Sequence, residues 1–334
     1  MDPVVEGIVS IDRRLGPGDE RTLAEDVLDG LTRPFKELPP KHFYDAAGAE
    51  LFDRISELPE YYPTRTERAI LEARAADIVA RVRPRDLVEL GSGAADKTRV
   101  LLDAMRDAGV LERYVPVDVS ETAVRASARA LAADYPGLEV LGVIGDFERH
   151  LDHLPEGGRR LVAFLGGTIG NFPPGSRRRL LRRLRDGLDP GDRLLLGTDL
   201  VKDPERIRRA YDDAQGITAA FNRNLLAVLN RDLGADFELG NYEHVALYDR
   251  QNEWIEMRLR AREAATVRIP GVDLEIAVQA GEEIRTEISA KFTRARLEAD
   301  YAAAGLVLEA FYTDPEDLFA LSLACRADDG PRLD

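Results

Sequence analysis

The residues of this 334-residue chain best suited to chemistry stand at the ends of short apolar runs. The first group is Leu87-Val-Glu89-Leu-Gly91-Ser-Gly93-Ala-Ala-Asp96-Lys97, where an apolar run gives way to a helical pattern. Gly91 and Gly93 let the backbone turn tightly and approach a ligand, and the following helix start offers N–H groups without intrahelical partners. A dinucleotide fingerprint needs a third Gly or Ala for close helix–strand packing. Asp96 holds that place, and Glu89 adds a second carboxylate. Carboxylates beside the turn oppose a pyrophosphate and suit a cation such as a sulfonium with an amino acid tail. Taken alone, such a turn also serves purely structural ends.

Asp118, closing Tyr114-Val-Pro-Val-Asp118, stands at the tip of the second apolar run. A carboxylate there can accept both hydroxyls of a ribose, whichever nucleoside is bound. The bland alternative is a neighbour of a helix N-cap, since Ser120 follows. Gly145-Asp146-Phe147 ends the third run and fits the edge and face of an adenine; a turn aspartate beside a core phenylalanine is the other reading. Three acidic ends in register, with no arginine placed for a 2′-phosphate, favour S-adenosylmethionine (SAM) over NADP. The E-x-G-x-G form is typical of SAM-dependent methyltransferases.

The fourth run ends in Phe164-Leu-Gly166-Gly167-Thr168-Ile-Gly170-Asn171-Phe172. Its glycines permit close backbone approach, and Asn171 supplies an amide that both donates and accepts. In Ile284-Arg285-Thr286-Glu287-Ile288-Ser289, polar and apolar residues alternate as in a half-buried strand. Glu287 and Ser289 then share a face, two residues apart. A carboxylate and a hydroxyl so placed can bond both nitrogens of an imidazole; a solvent-facing polar edge is the competing reading.

These residues need a scaffold that lines up strand ends. Apolar runs at Asp86–Leu90, Tyr114–Val119, Leu138–Ile144, Arg160–Gly166 and Arg193–Asp199 alternate with helical stretches at Lys97–Ala108, Glu121–Ala133 and Gly175–Gly187. That alternation predicts a doubly wound α/β domain with a parallel sheet, binding ligands outside the carboxyl ends of its strands. A helix opened by a capping box at Thr64 and Glu67 is expected to lead into it and to stop before Pro84. Beyond Asp199 the alternation ends. Helix is expected over 203–230, broken at Gly216, then strands at His244–Asp249, Trp254–Arg260, Thr266–Ile269, Leu274–Val278 and Glu283–Ser289. A helix at Arg294–Ala304 and strands at Leu306–Tyr312 and Phe319–Cys325 complete the chain. We expect a Rossmann-like domain over 67–201 plus 291–327, and a smaller α+β substrate-binding domain over 20–66 plus 202–290.

Composition narrows the partners. A formal charge of −15 repels phosphate backbones and anionic membranes, so neither nucleic acid nor a membrane is expected, and a monomer is favoured. The basic run from Arg177 to Arg185 carries leucines at helical spacing and reads as the solvated face of an amphipathic helix. The single cysteine, Cys325, allows no internal disulfide, and His150 with His153 lacks further ligands for zinc, so no metal is expected. No apolar leader or span is visible, which makes the cytoplasm the default location.

The stretches KHFYDAAGAELFDRISELPEYYPTRTE, ELGSGAADKTRVLLDAM, FLGGTIGN, LLLGTDLVKD, AYDDAQGITAAFNRNLL and GEEIRTEISAKF resemble the L-histidine Nα-methyltransferases of ergothioneine biosynthesis, class I SAM-dependent enzymes. The resemblance spans residues 21 to 326. It implies a SAM site at Tyr44, Gly91, Gly93, Lys97, Asp118, Asp146 and Phe147, and a histidine site at Tyr61, Gly166, Asn171, Tyr211, Met257, Glu287 and Ser289. It implies that Asn171 and Tyr211 hold the amino and carboxylate groups, that Glu287 and Ser289 hold the imidazole, and that Tyr44, Asn171 and Gly166 surround the reacting nitrogen. The implied product is trimethylhistidine, hercynine. Gly167 stands where the family pattern has serine, and Ala290 where it has cysteine. Within the family the alternative is a paralogue that N-methylates another free amino acid. Two rivals differ in kind: a nicotinamide oxidoreductase, which lacks its third glycine here, and a non-catalytic SAM-binding module, which would not need a second pocket.

Overall fold

The computed structural model describes residues 9–14, 22–93, 97–146 and 159–329. Its first strand, β1 (Val9–Arg13), pairs in parallel with a later strand at the sheet edge. The sequence reading left this segment outside both domains, although Val9 and Ile11 alternate with polar residues and pack on the core. Helix α1 (Leu23–Leu31) starts at a capping box, with Thr22 and Glu25 each accepting from the other's backbone N–H at 3.2 and 2.8 Å. A two-residue strand, β2 (Lys36–Glu37), and a 3₁₀ turn, Pro40–Phe43, lead to α2 (Ala46–Glu57), capped by Asp45.

Helix α3 (Pro63–Val82) corrects one expectation. Pro63 occupies its first turn, the cap position is Tyr62, and no side chain caps the start. Thr64 and Glu67 form no capping box; Glu67 is fully buried and serves the functional site instead. The helix ends at Arg83, in the left-handed conformation, before Pro84, as the proline requires.

From there strand and helix alternate: β3 (Asp86–Leu90), α4 (Thr98–Asp107), β4 (Arg113–Asp118), α5 (Glu121–Asp134), β5 (Glu139–Ile144), β6 (Arg160–Phe164), α6 (Pro174–Asp186) and β7 (Arg193–Asp199). Leu180, Leu181 and Leu184 of α6 are buried and most of its arginines face solvent. Arg177 is the exception, paired with Asp300 at 2.9 Å inside the protein.

After β7 come α7 (Pro204–Tyr211) and α8 (Ile217–Leu233), separated at Gly216, which adopts φ 71°. Strands β8 (Tyr242–Asp249), β9 (Trp254–Ala261), β10 (Ala265–Ile269), β11 (Leu274–Val278) and β12 (Glu283–Ala290) follow, then α9 (Arg294–Ala304), β13 (Leu306–Thr313) and β14 (Phe319–Arg326).

The strands make an eight-stranded sheet in the order β1-β5-β4-β3-β6-β7-β14-β13, parallel except where β14 pairs with β7 and β13. One face is covered by a core that includes Leu71 and Ile78 of α3 and Leu101 of α4; the other by one that includes Leu181 of α6 and Tyr301 of α9. The chain order runs outward from β3 in one direction and from β6 in the other, so the switch point lies between β3 and β6. A four-stranded sheet, β2-β12-β9-β8, has a separate core built with α1, α2, α7 and α8. The chain leaves and re-enters the large sheet side by side: Phe292 N donates to Asp199 O at 2.8 Å, and Val201 N to Phe292 O at 2.9 Å.

Candidate functional site

At the switch point the backbone opens. Gly91 and Gly93 adopt φ 71° and 47°, and among the described residues nothing lies within 4 Å of where a Cβ on Gly93 would sit. Asp118, ending β4, accepts from Gly93 N at 3.2 Å and Ser120 N at 2.9 Å, which fixes its carboxylate beside the turn. Asp146 follows the end of the neighbouring β5. Phe147 lies outside the described residues, as do His150 and His153. Glu89 points inward, where Tyr114 donates to it at 2.6 Å and burial pushes its carboxyl up to about 7. An open glycine turn, two half-buried carboxylates on adjacent strand ends and one ammonium, Lys97, fit a nucleoside with a charged amino acid tail.

That ammonium is held from behind by Glu67. The Glu67 carboxylate pairs with Lys97 Nζ and also accepts from Gly166 N, at 2.8 and 3.0 Å to its two oxygens. Gly197 leaves room for it, since a Cβ there would meet Glu67 Oε1. One buried carboxylate thus fastens Lys97, which follows the glycine turn, to Gly166 beyond the end of β6. Sequence reasoning missed Glu67, having assigned it to the helix cap.

On the acceptor side, Gly166 and Gly167 turn with φ 81° and 70° into the 3₁₀ turn Thr168–Asn171. Gly170 lies against β12: an added Cβ would stand 2.8 Å from Ala290 O. This contact brings Asn171 beside the strand that carries Glu287 and Ser289. Met257 of β9 pairs in register with Glu287. Tyr61 and Tyr211 approach edge to face with centroids 6.3 Å apart; Tyr44 packs likewise against Phe52 and Phe221, at 5.6 and 5.7 Å. Burial pushes the Glu287 carboxyl up to about 7, against the pull of the nearby Lys291 cation. Burial, with the charges of Glu287 and Asp199, keeps the Tyr211 phenol well above its ordinary value, so it remains neutral. A cavity of about 220 Å³ also opens beside Asn171 and Glu287, bordered by α1 and Pro39–Pro40.

Two buried polar networks hold Tyr211. At its phenol, Tyr211 donates to Ser289 Oγ at 2.9 Å, and Lys291 Nζ donates to both hydroxyls, at 3.1 and 2.9 Å. Lys291 is fully buried and pairs with Asp199 Oδ2 at 2.8 Å; Lys202 and the Tyr62 hydroxyl meet the same carboxylate. Burial alone would raise Asp199, but the two lysines outweigh it and hold its carboxyl below the usual range. At its backbone, Tyr211 O accepts from His244 Nε2 at 2.7 Å, while His244 Nδ1 accepts from Asn222 at 2.9 Å. Asn222 in turn accepts from Thr286 Oγ1 at 2.6 Å. These bonds assign the neutral Nε2–H tautomer, consistent with burial holding His244 below its ordinary value. None of this support was read from the sequence, though Asp199 carries the same signal as Asp118: an acidic residue ending a strand.

Among the described residues no three His, Cys, Asp or Glu side chains gather as metal ligands, and no helix is long and apolar enough to cross a membrane.

A family profile described as "Histidine-specific methyltransferase, SAM-dependent" matches residues 23–326. The chain is 56% identical over 304 residues to the histidine N-alpha-methyltransferase of Mycolicibacterium smegmatis, covering 91% of this chain and 95% of that one. It is 51% identical over 319 residues to the histidine N-alpha-methyltransferase of Mycobacterium tuberculosis, covering 95% and 99%. Ergothioneine biosynthesis protein 1 of Schizosaccharomyces pombe is 32% identical over 243 residues, 69% of this chain and 31% of that longer protein. With carboxylates on adjacent strand ends beside an open glycine turn, and a match across most of its length, this chain belongs to the histidine-specific, SAM-dependent methyltransferases.

Proposed function

We propose that the protein methylates the α-amine of L-histidine with SAM, three times over, to give hercynine for ergothioneine biosynthesis. The observation that carries this reading is the contact of the Thr168–Asn171 turn with β12, the strand that holds Glu287 and Ser289, with the Tyr211 phenol bonded to Ser289. Asp118 and Asp146 are assigned to the nucleoside, and Lys97 to the carboxylate of its amino acid tail. Phe147 remains part of this assignment, and Tyr44 the residue that lines the space for the accumulating methyls. Residues 67–201 plus 291–327 are taken as the SAM-binding domain, and 20–66 plus 202–290 as the substrate-binding domain.

SAM supplies an electrophilic methyl on a sulfonium. The chain's own part is to present a neutral amine to it. The α-amine of a free amino acid titrates above the value near 8 of a peptide N-terminus, because its own carboxylate favours the ammonium. Most of it is therefore protonated at neutral pH, and a neighbouring positive charge is needed to lower that value. Asn171 and the Tyr211 phenol hold the amino and carboxylate groups between them, while Glu287 and Ser289 hold the ring. Before each of the three transfers the ammonium gives one proton to water. The N–C bond then forms as the S–C bond breaks, the sulfur keeping its electron pair, and the third transfer leaves a quaternary nitrogen with no proton to lose. Positioning of this kind can supply roughly 7–11 kcal/mol of the barrier. The reading is tested by following S-adenosylhomocysteine release: it should require added L-histidine and fall about 10²-fold or more in Asn171→Ala. Near-normal turnover in that variant contradicts the acceptor-site assignment.

A further inference from the structure

We infer that Lys291 is a positioning residue that fixes which way the Ser289 and Tyr211 hydroxyls donate, so that the site accepts a neutral imidazole in a single tautomer. This rests on the reading of Glu287 and Ser289 as the imidazole site.

A lysine ammonium has three donors and no acceptor. Lys291 directs them to Asp199 Oδ2 at 2.8 Å, Ser289 Oγ at 2.9 Å and Tyr211 OH at 3.1 Å. The Tyr211 hydroxyl sends its one hydrogen to Ser289 Oγ at 2.9 Å. Ser289 Oγ therefore accepts twice, which occupies both lone pairs, and its own hydrogen is left to point toward the ligand. Tyr211 keeps one lone pair, so toward the ligand it acts as an acceptor, suited to an amine N–H.

Glu287, two residues earlier, only accepts once ionised, the form that prevails at pH 7.5 and that a ring N–H donated to it favours. The pair Glu287 and Ser289 thus presents one acceptor and one donor. A neutral imidazole offers the reverse: one N–H and one bare nitrogen. An imidazolium has two N–H groups and would meet the Ser289 hydrogen head-on, and rings without nitrogen leave both protein groups unpaired. Asp199 holds the Lys291 charge in place, itself fixed by Lys202 and by Tyr62 at 2.9 Å. Lys291 is fully buried, so solvent cannot take over its role.

Lys291→Met keeps the length of the stem and removes the donors; Lys291→Gln retains an amide donor. The readout is the ratio of kcat/KM for L-histidine to that for β-(2-thienyl)-L-alanine, a five-membered ring with neither N–H nor bare nitrogen. In Lys291→Met this ratio should fall about tenfold or more, chiefly through a higher KM for histidine, and Lys291→Gln should recover part of it. Ser289→Ala should lose the same selectivity, and combining it with Lys291→Met should add little further. A ratio unchanged in Lys291→Met, with both substrates slowed alike, overturns the inference while leaving histidine methylation standing. Wild type that does not methylate histidine sinks the underlying reading instead. Should Lys291→Met fail to fold, the wild type still decides. Ring-¹⁵N-labelled histidine bound with S-adenosylhomocysteine at pH 7.5 should show one protonated and one bare nitrogen. Two protonated nitrogens, or two averaged by tautomer exchange, overturn the assignment.

Discussion

Glu67 and Glu287 are both buried carboxylates, yet their surroundings give them opposite duties. Glu67 is enclosed and satisfied by Lys97 and Gly166 N, so removing it strands a cation and a backbone donor. Breaking a buried pair in this way costs about 3–5 kcal/mol, and Glu67→Ala should lose about 3, since Lys97 is 21% exposed and partly solvated. Urea denaturation checks this; a loss below about 1 kcal/mol would mean the pair contributes little. Glu287 is the reverse case. Its ordinary value is 4.5 and burial pushes it up to about 7, so between those values the folded protein holds a proton that the unfolded chain has released. Stability must then fall as pH rises through that window. Glu287→Gln escapes the loss: its advantage in stability over wild type should vanish near pH 4.5 and reach about 2 kcal/mol at pH 8. An advantage independent of pH contradicts this. The same variant should discriminate poorly for histidine, the usual trade of stability for function at a strained site.

At the scale of elements, the contact between the Thr168–Asn171 turn and β12 matters most, because it joins two segments over a hundred residues apart into one acceptor site. Gly170 permits it. Gly170→Ala would drive a methyl toward Ala290 O, 2.8 Å away, and separate the turn from the strand. Overpacking of this kind costs about 1–3 kcal/mol, so the fold should survive. Misplacing Asn171 by a fraction of an ångström should nonetheless lower kcat about 10²-fold. A folded variant with unchanged kcat shows that the turn does not position the acceptor. The elements themselves were largely legible in the sequence. The run Leu274–Val278 and the helix Arg294–Ala304 appear with the limits their patterns predict, because strand alternation and helix periodicity are local signals. The capping box was not: Thr64-x-x-Glu67 matches the pattern, but Pro63 begins the helix and Glu67 is drawn inward by a lysine thirty residues away. β1 was missed because its partner, β5, is more than a hundred residues distant in sequence.

Over the whole molecule, the chain crosses from the large sheet at Asp199 and returns at Phe292, two positions bonded to each other. The buried lysines sit at this crossing: Lys202 just after the exit and Lys291 just before the return, with Asp199 between them. The turns at Gly91–Gly93 and Gly166–Asn171 were legible because a parallel sheet sets its tight turns at strand ends. The lysines were not, because their role depends on three segments converging, which no local pattern encodes. On this reading the convergence selects histidine, and the enzyme methylates its α-amine. The most direct measurement is mass spectrometry of L-histidine incubated with the purified protein and SAM, beside tryptophan, tyrosine and histamine. The account predicts masses rising by one, two and three methyl groups on histidine, with fragments placing them on the α-nitrogen. Methylation of tryptophan or tyrosine in preference, or of the imidazole ring, would contradict it.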